Sequence, residues 1–182
     1  LIDDEKVDKD AVLFKNVYDL KDDCKDMSPI AVPKGFTQQF IDNPNIDQYK
    51  KILKKSHNKL KKNSDFLLLE GTGHAGVGSV FSMSNADVAK LFGVKVVLVS
   101  LGGIGSSIDE IMLNKAVFDL MGVELMGVII NKVQTDKYDK ISRYIKKGLG
   151  YHNIDVLGTI PFVPMLNKPS IQTIFEKLKG NI

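Results

Sequence analysis

Four short, almost uninterrupted apolar runs constrain this chain more than any other feature: Phe66–Leu69, Val96–Val99, Leu125–Ile130 and Val156–Ile160. A strand with one wet face alternates apolar and polar residues, whereas a strand buried on both faces reads as a continuous apolar run, as in parallel sheets. Helical patterns stand between these runs. They cover Ser84–Phe92, Ser106–Met121 and Lys137–Leu149, with a further one at Pro169–Leu178. The clearest is Ser106–Met121, whose Ile108, Met112, Leu113, Ala116, Val117 and Leu120 are expected on one side. Strict alternation of strand and helix demands right-handed βαβ units, so the expected fold is α/β, a doubly wound and mainly parallel sheet.

Ahead of the first run the pattern changes. Asp8 to Leu20 is expected to form a short helix capped by Asp8, with Val12, Leu13 and Val17 on its stripe. Residues 21 to 46 hold Pro29, Pro33, Gly35 and Pro44 and are expected to be loop. Asp47–Lys62 is expected to be helical, with Tyr49, Ile52, Leu53, Ser56 and Leu60 inward and seven lysines on the other faces. No aromatic residues interleave with those lysines, so a solvated face explains them better than nucleic acid does.

Composition bounds the rest. A length of 182 residues suits one domain and is short for two. With 43% hydrophobic and 26% charged residues the chain is globular, and the net charge of +3 is too small to imply a polyanion-binding surface. No apolar run approaches the ~18 residues of a membrane span, and Leu1–Lys6 lacks the marks of a signal peptide. The one cysteine, Cys24, lies among Asp22, Asp23 and Asp26, which disfavour a thiolate. A reducing, cytoplasmic setting is expected, with no nucleic-acid or membrane partner.

In open parallel sheets ligands bind beyond the carboxyl ends of the strands. After the first run stands Glu70-Gly-Thr-Gly-His-Ala-Gly-Val-Gly78, and after the second Ser100-Leu-Gly-Gly-Ile-Gly-Ser106. The third run ends in Asn131-Lys132 and the fourth in Pro161-Phe-Val-Pro164. Glycine clusters there let backbone N–H groups approach a phosphate or carboxylate. Glu70 has the chemistry to hold magnesium against nucleotide phosphates, the alternative being a glutamate that simply emerges into solvent. Gly71–Gly76 matches the dinucleotide fingerprint only in spelling, because the next helix begins near Ser84 and the following strand ends in Ser100, not an acid. Gly73–Gly78 has Walker A spacing, but Ser79 follows where lysine is required. His57 and His152 are expected to face solvent. His74 lies within the glycine loop, where it could touch a substrate or simply serve loop geometry.

These residues resemble a known group. Phe66–Val133, opening on Glu70-Gly-Thr-Gly and closing on Gly127-Val-Ile-Ile-Asn-Lys132, is similar to dethiobiotin synthetase and its relatives. Those relatives include the cobyrinic acid a,c-diamide synthase family and the synthetase-like domain of some phosphotransacetylases. The resemblance implies a P-loop NTPase fold using ATP and magnesium. It implies metal ligands at Asp10, in Asp8-Lys-Asp-Ala11, and at Glu70. It implies adenine recognition by Asn131 and a base pocket lined by Gly158-Thr-Ile-Pro161. Gly71, Thr72, Gly73 and His74 would face the substrate.

It implies an activity as well: activation of a small carboxylate by phosphoryl transfer, for ligation to ammonia, an amine or carbon dioxide. The glycine loop and Pro33-Lys-Gly-Phe-Thr37 differ from the synthetase pattern, which leaves the product open. A nucleotide-sensing regulatory domain and a partitioning-type ATPase are the rival functions, and a homodimer is expected. The resemblance also implies a preceding strand and P-loop that this sequence lacks. The chain is therefore expected to be an N-terminally incomplete fragment of a single nucleotide-binding domain, inactive in catalysis by itself.

Overall fold

The computed structural model describes residues 8–167, which fall into two compact units, one up to Val88 and the other from Ala89 on. In the first unit Asp8 caps α1 (Lys9–Val17) by accepting the Asp10 N–H over 2.8 Å, as its position ahead of the apolar stripe implied. The buried residue of α1 is Ala11, while Leu13 and Val17 are exposed. The stretch expected to be loop holds two short helices, α2 (Cys24–Met27) and α3 (Phe36–Asp42). The prolines bound these helices: Pro29 and Pro33 lie between them, and Pro44 lies just beyond α3. Each proline denies the chain a backbone donor without preventing the turns between.

Helix α4 (Ile46–Lys62) is capped by Asn45, whose Oδ1 accepts the Gln48 N–H. It buries Ser56, half-buries Ile52, Leu53 and Leu60, and leaves Lys54, Lys55, Lys61 and Lys62 exposed. Lys59 is paired with Asp26 of α2. The core of this unit is aromatic. Phe36, Phe40, Tyr49 and Phe81 pack with ring centroids 5.1–6.2 Å apart, and the Phe40–Phe81 and Phe36–Tyr49 pairs meet edge to face.

Phe66–Leu69 forms no strand. The run has the composition of one, but a strand exists only through the ladder it shares with a neighbour, and no ladder partner is present among the described residues. Phe66 and Leu68 are accordingly 81% and 78% exposed.

The second unit fulfils the alternating pattern. Strands β1 (Val96–Leu101), β2 (Leu125–Val133) and β3 (Val156–Pro161) form a parallel sheet in the order β1-β2-β3. The intervening helices are α6 (Gly105–Met121) and α7 (Tyr138–Gly150); α5 (Asn85–Phe92) precedes β1, and the division between the units falls within it. Val128, Ile130 and Val133 of β2 pack with Ile111 of α6 and Ile141, Ile145 and Leu149 of α7 in one buried cluster. Helix α6 meets it with only part of the expected face: Ile108 and Met112 pack against the cluster, half-buried. Ser107, Ile111, Asn114 and Phe118 are buried, and Leu113 and Leu120 are exposed. The helix expected at Pro169–Leu178 lies outside the described residues.

Candidate functional site

The carboxyl ends of β1, β2 and β3 converge in the second unit, and their geometry is set by an irregularity in β2. Ile130 pairs with Thr159 and Val133 pairs with Pro161, so β2 carries one residue more than β3 across this step. Such a bulge bends a strand and re-aims its side chains. The extra length is taken up at Asn131-Lys132, where Lys132 adopts a left-handed backbone, φ +55°, that non-glycine residues seldom occupy. That turn brings the Lys132 N–H onto Asn131 Oδ1 at 2.8 Å.

The neighbouring strands lock the bulge in place. The Gly102 N–H donates to Asn131 O over 2.7 Å, and the Phe162 N–H donates to Val133 O over 2.8 Å. Gly102 packs so closely that a Cβ there would stand 2.7 Å from Val133 Cα. Around this knot lies a cleft of about 330 Å³ lined by Leu101, Gly102, Lys132, Gln134 and Phe162. Its size and largely apolar walls suit a small planar ligand.

The two expected binding residues, Asn131 and Pro161, do not line this cleft and are only chain neighbours of residues that do. Asn131 precedes the lining Lys132, and Pro161 precedes the lining Phe162. Asn131 is half-buried, its Oδ1 accepts the Lys132 N–H, and its Nδ2 can donate to a ligand. The strand-end rule located the loops. The walls Leu101, Gln134 and Phe162 were not singled out in the sequence, because an apolar or amide side chain near a strand end carries no signature of its own.

The other expected residues belong to the first unit. Glu70 is exposed and opens the glycine loop, and Asp10 is exposed in the first turn of α1. Two carboxylates completed by phosphates and water are enough for magnesium. No group of three or more His, Cys, Asp or Glu that could hold a metal exists among the described residues. In the glycine loop, the Gly76 N–H donates to His74 Nδ1 at 3.2 Å. His74 thereby serves the loop's own geometry while Nε2 stays available.

The loop is tied to the start of α5. Ser84 and Asp87 cap that helix reciprocally: Asp87 Oδ2 accepts the Ser84 N–H (2.9 Å) and Oγ–H (2.5 Å), and Ser84 Oγ accepts the Asp87 N–H. Asn85 stands next, and its side chain reaches back to the loop, donating to Thr72 O and His74 O. A lone asparagine one turn past a glycine loop gave no sequence signal. At the far end the loop runs into a single 3-10 turn, Ser79–Phe81, whose Phe81 is held in the aromatic cluster.

A parallel sheet with a bulged, glycine-flanked cleft at the carboxyl ends of its strands is the arrangement of a ligand-binding α/β domain, and it agrees with a P-loop NTPase-like fold. Comparison with known proteins gives the family. The AAA domain family matches residues 1–170, and the chain belongs to it, within the dethiobiotin synthetase-like P-loop ATPases. The chain is 27% identical to an ATP-dependent dethiobiotin synthetase of Methanocaldococcus jannaschii, over 93% of this chain and 79% of that protein. It is 30% identical to the enzyme of that name from Clostridium perfringens, over 70% of this chain and 57% of that one. It is 28% identical to a phosphate acetyltransferase of Synechocystis, over 75% of this chain and 20% of that protein. Among the described residues, no helix is long and apolar enough to cross a membrane.

Proposed function

We propose that this chain binds the adenine end of ATP at the β1–β2–β3 cleft and serves a magnesium-dependent ligase that activates a small carboxylate by phosphoryl transfer. The observation that carries the reading is the Asn131-Lys132 bulge. It holds the Asn131 carboxamide by its oxygen through the Lys132 N–H, and a carboxamide fixed in this way offers Nδ2 as a donor to the ring-nitrogen acceptors of a purine. Two relatives bearing the name ATP-dependent dethiobiotin synthetase support ATP as the nucleotide.

Asp10 and Glu70 are the side chains that would hold magnesium, whose chemistry is to neutralise phosphate charge during transfer. The glycine loop from Gly71 to His74 would receive the substrate. In phosphoryl transfer the protein mostly positions groups and excludes water, and the cleft walls Leu101 and Phe162 serve that end. The 182 residues contain no Walker A lysine, so the phosphate end of ATP needs donors besides those named here.

The match to part of a phosphate acetyltransferase favours a second reading, a nucleotide-sensing module that a partner reads. Calorimetry with ATP and magnesium, followed by ADP release in the presence of small carboxylates with ammonia, an amine or bicarbonate, separates the two. ADP formed only when carboxylate and acceptor are both present supports the ligase. ATP binding with no product from any pair leaves the sensing module, and absence of adenine-nucleotide binding removes both.

A further inference from the structure

We propose that Asn85 is the positioning residue of the Glu70–Gly78 loop: it draws the loop's carbonyl oxygens inward and turns the Gly73 and Gly78 N–H groups outward to receive an anionic oxygen of the ligand. This rests on the reading that the loop faces the substrate.

Four loop carbonyls are taken by the first two residues of α5. Asn85 Nδ2 donates to Thr72 O (3.0 Å) and His74 O (2.9 Å), the Asn85 N–H donates to Val77 O (3.1 Å), and the Ala86 N–H donates to Ala75 O (3.2 Å). A trans peptide is planar, with its C=O and the following N–H pointing in opposite directions. Binding Thr72 O and Val77 O to α5 therefore points the Gly73 and Gly78 N–H groups away from it. The Gly76 N–H, turned outward by the same logic, is caught by His74 Nδ1. Gly73 and Gly78 find no acceptor among the described residues. Both have left-handed backbones, φ +72° and +97°, which glycine adopts without a side-chain penalty.

The junction leaves no slack. Ala75 is 2% exposed and Ala86 wholly buried, and a Cβ on Gly71 would stand 2.8 Å from Asn85 Oδ1. The carboxamide fills the space a side chain at position 71 would need. The helix end itself is not the anion site, because its N–H groups are spent on the loop. What remains is a pair of backbone donors flanking His74, suited to a carboxylate or phosphate oxygen.

The test follows the backbone amide signals of isotopically labelled protein. Inorganic phosphate is titrated in one arm and acetate in the other. The wild-type Gly73 and Gly78 amides should shift saturably, and the arm with the stronger response names the group. Asn85→Ala should weaken that binding at least tenfold while the signals of Phe36 and Phe81 stay in place. Gly71→Ala keeps Asn85 but displaces its carboxamide, and it should produce a similar loss. The double variant should be no worse than Asn85→Ala alone, since the clash partner is gone. Wild-type amides that respond to neither anion would overturn the substrate-loop reading and the proposal with it. Wild-type amides that respond, with Asn85→Ala binding unchanged or the two losses adding, would overturn the positioning role alone.

Discussion

The backbone N–H of Lys132 donates to Oδ1 of Asn131, one residue back along β2, at 2.8 Å. The bond holds the carboxamide by its oxygen and so orients Nδ2, its donor end. If Nδ2 reaches a ring nitrogen, 7-deaza-ATP, which lacks the N7 acceptor, should bind about tenfold more weakly than ATP, the worth of one hydrogen bond. Asn131→Ala should bind the two equally. Calorimetry that finds the same discrimination in both proteins would remove Asn131 from the site.

Gly102→Ala places a methyl 2.7 Å from Val133 Cα and 3.1 Å from Lys132 O, both backbone atoms at the bulge. Overpacking against atoms that cannot rotate away costs about 1–3 kcal/mol. Denaturant titration should show that loss, and nucleotide affinity should fall with it because the Gly102–Asn131 bond cannot keep its length. Unaltered stability would mean that the ends of β1 and β2 are not so tightly joined.

Ser100 presents the opposite case. It is 5% exposed in β1, and its hydroxyl has no hydrogen-bond partner among the described residues. An unmade bond at a buried hydroxyl costs about 1–3 kcal/mol. Ser100→Ala should therefore raise the denaturation midpoint. A clear loss of stability on that change would show that the hydroxyl is satisfied in solution.

Asp23 caps α2 by accepting the Lys25 N–H at 2.9 Å, and that bond holds its carboxyl below the ordinary 3.8, with Lys25, Lys59 and Lys15 adding attraction. A carboxyl lowered by folding contributes stability above its ordinary value and loses it as the pH falls through the folded value. The Lys25 amide signal should hence stay constant down to about pH 4 and move only below it. A midpoint at or above 3.8 would contradict the cap.

What the sequence made legible follows from what each residue could say locally. Asp8 announced a helix start because a short polar side chain before an apolar stripe has few other uses. The three strands of the sheet were visible because their apolar runs leave no polar alternation to misread, although Val99, Leu157 and Ile160 are exposed among the described residues. Helix α6 misled because its buried stripe runs Ser107, Ile111, Asn114, Phe118, with polar residues at half its positions. The fully apolar stripe looked better and is split, with Ile108 and Met112 half-buried against the core and Leu113 and Leu120 exposed. Ser107 is accommodated by donating to Leu101 O, and Asn114 by donating to Glu110 O. Such satisfaction depends on tertiary placement and one-dimensional spacing does not record it. The Lys132 bulge was hidden for the same reason: a left-handed lysine is imposed by its neighbours, not favoured by its own chemistry.

The order β1-β2-β3 bears on how the second unit comes into being. Each strand lies beside its predecessor in the chain, so the sheet can grow in the direction of synthesis, one helix and one strand at a time. No strand has to be threaded between two already placed, and each closure spans a single crossover. Parallel pairing is slow to nucleate because its contacts are distant in sequence. Here the distance is kept to the minimum that a parallel sheet permits. The first stable species expected on a ribosome is the β1–α6–β2 unit with Val128 and Ile130 against Ile111, waiting for α7 to complete its core.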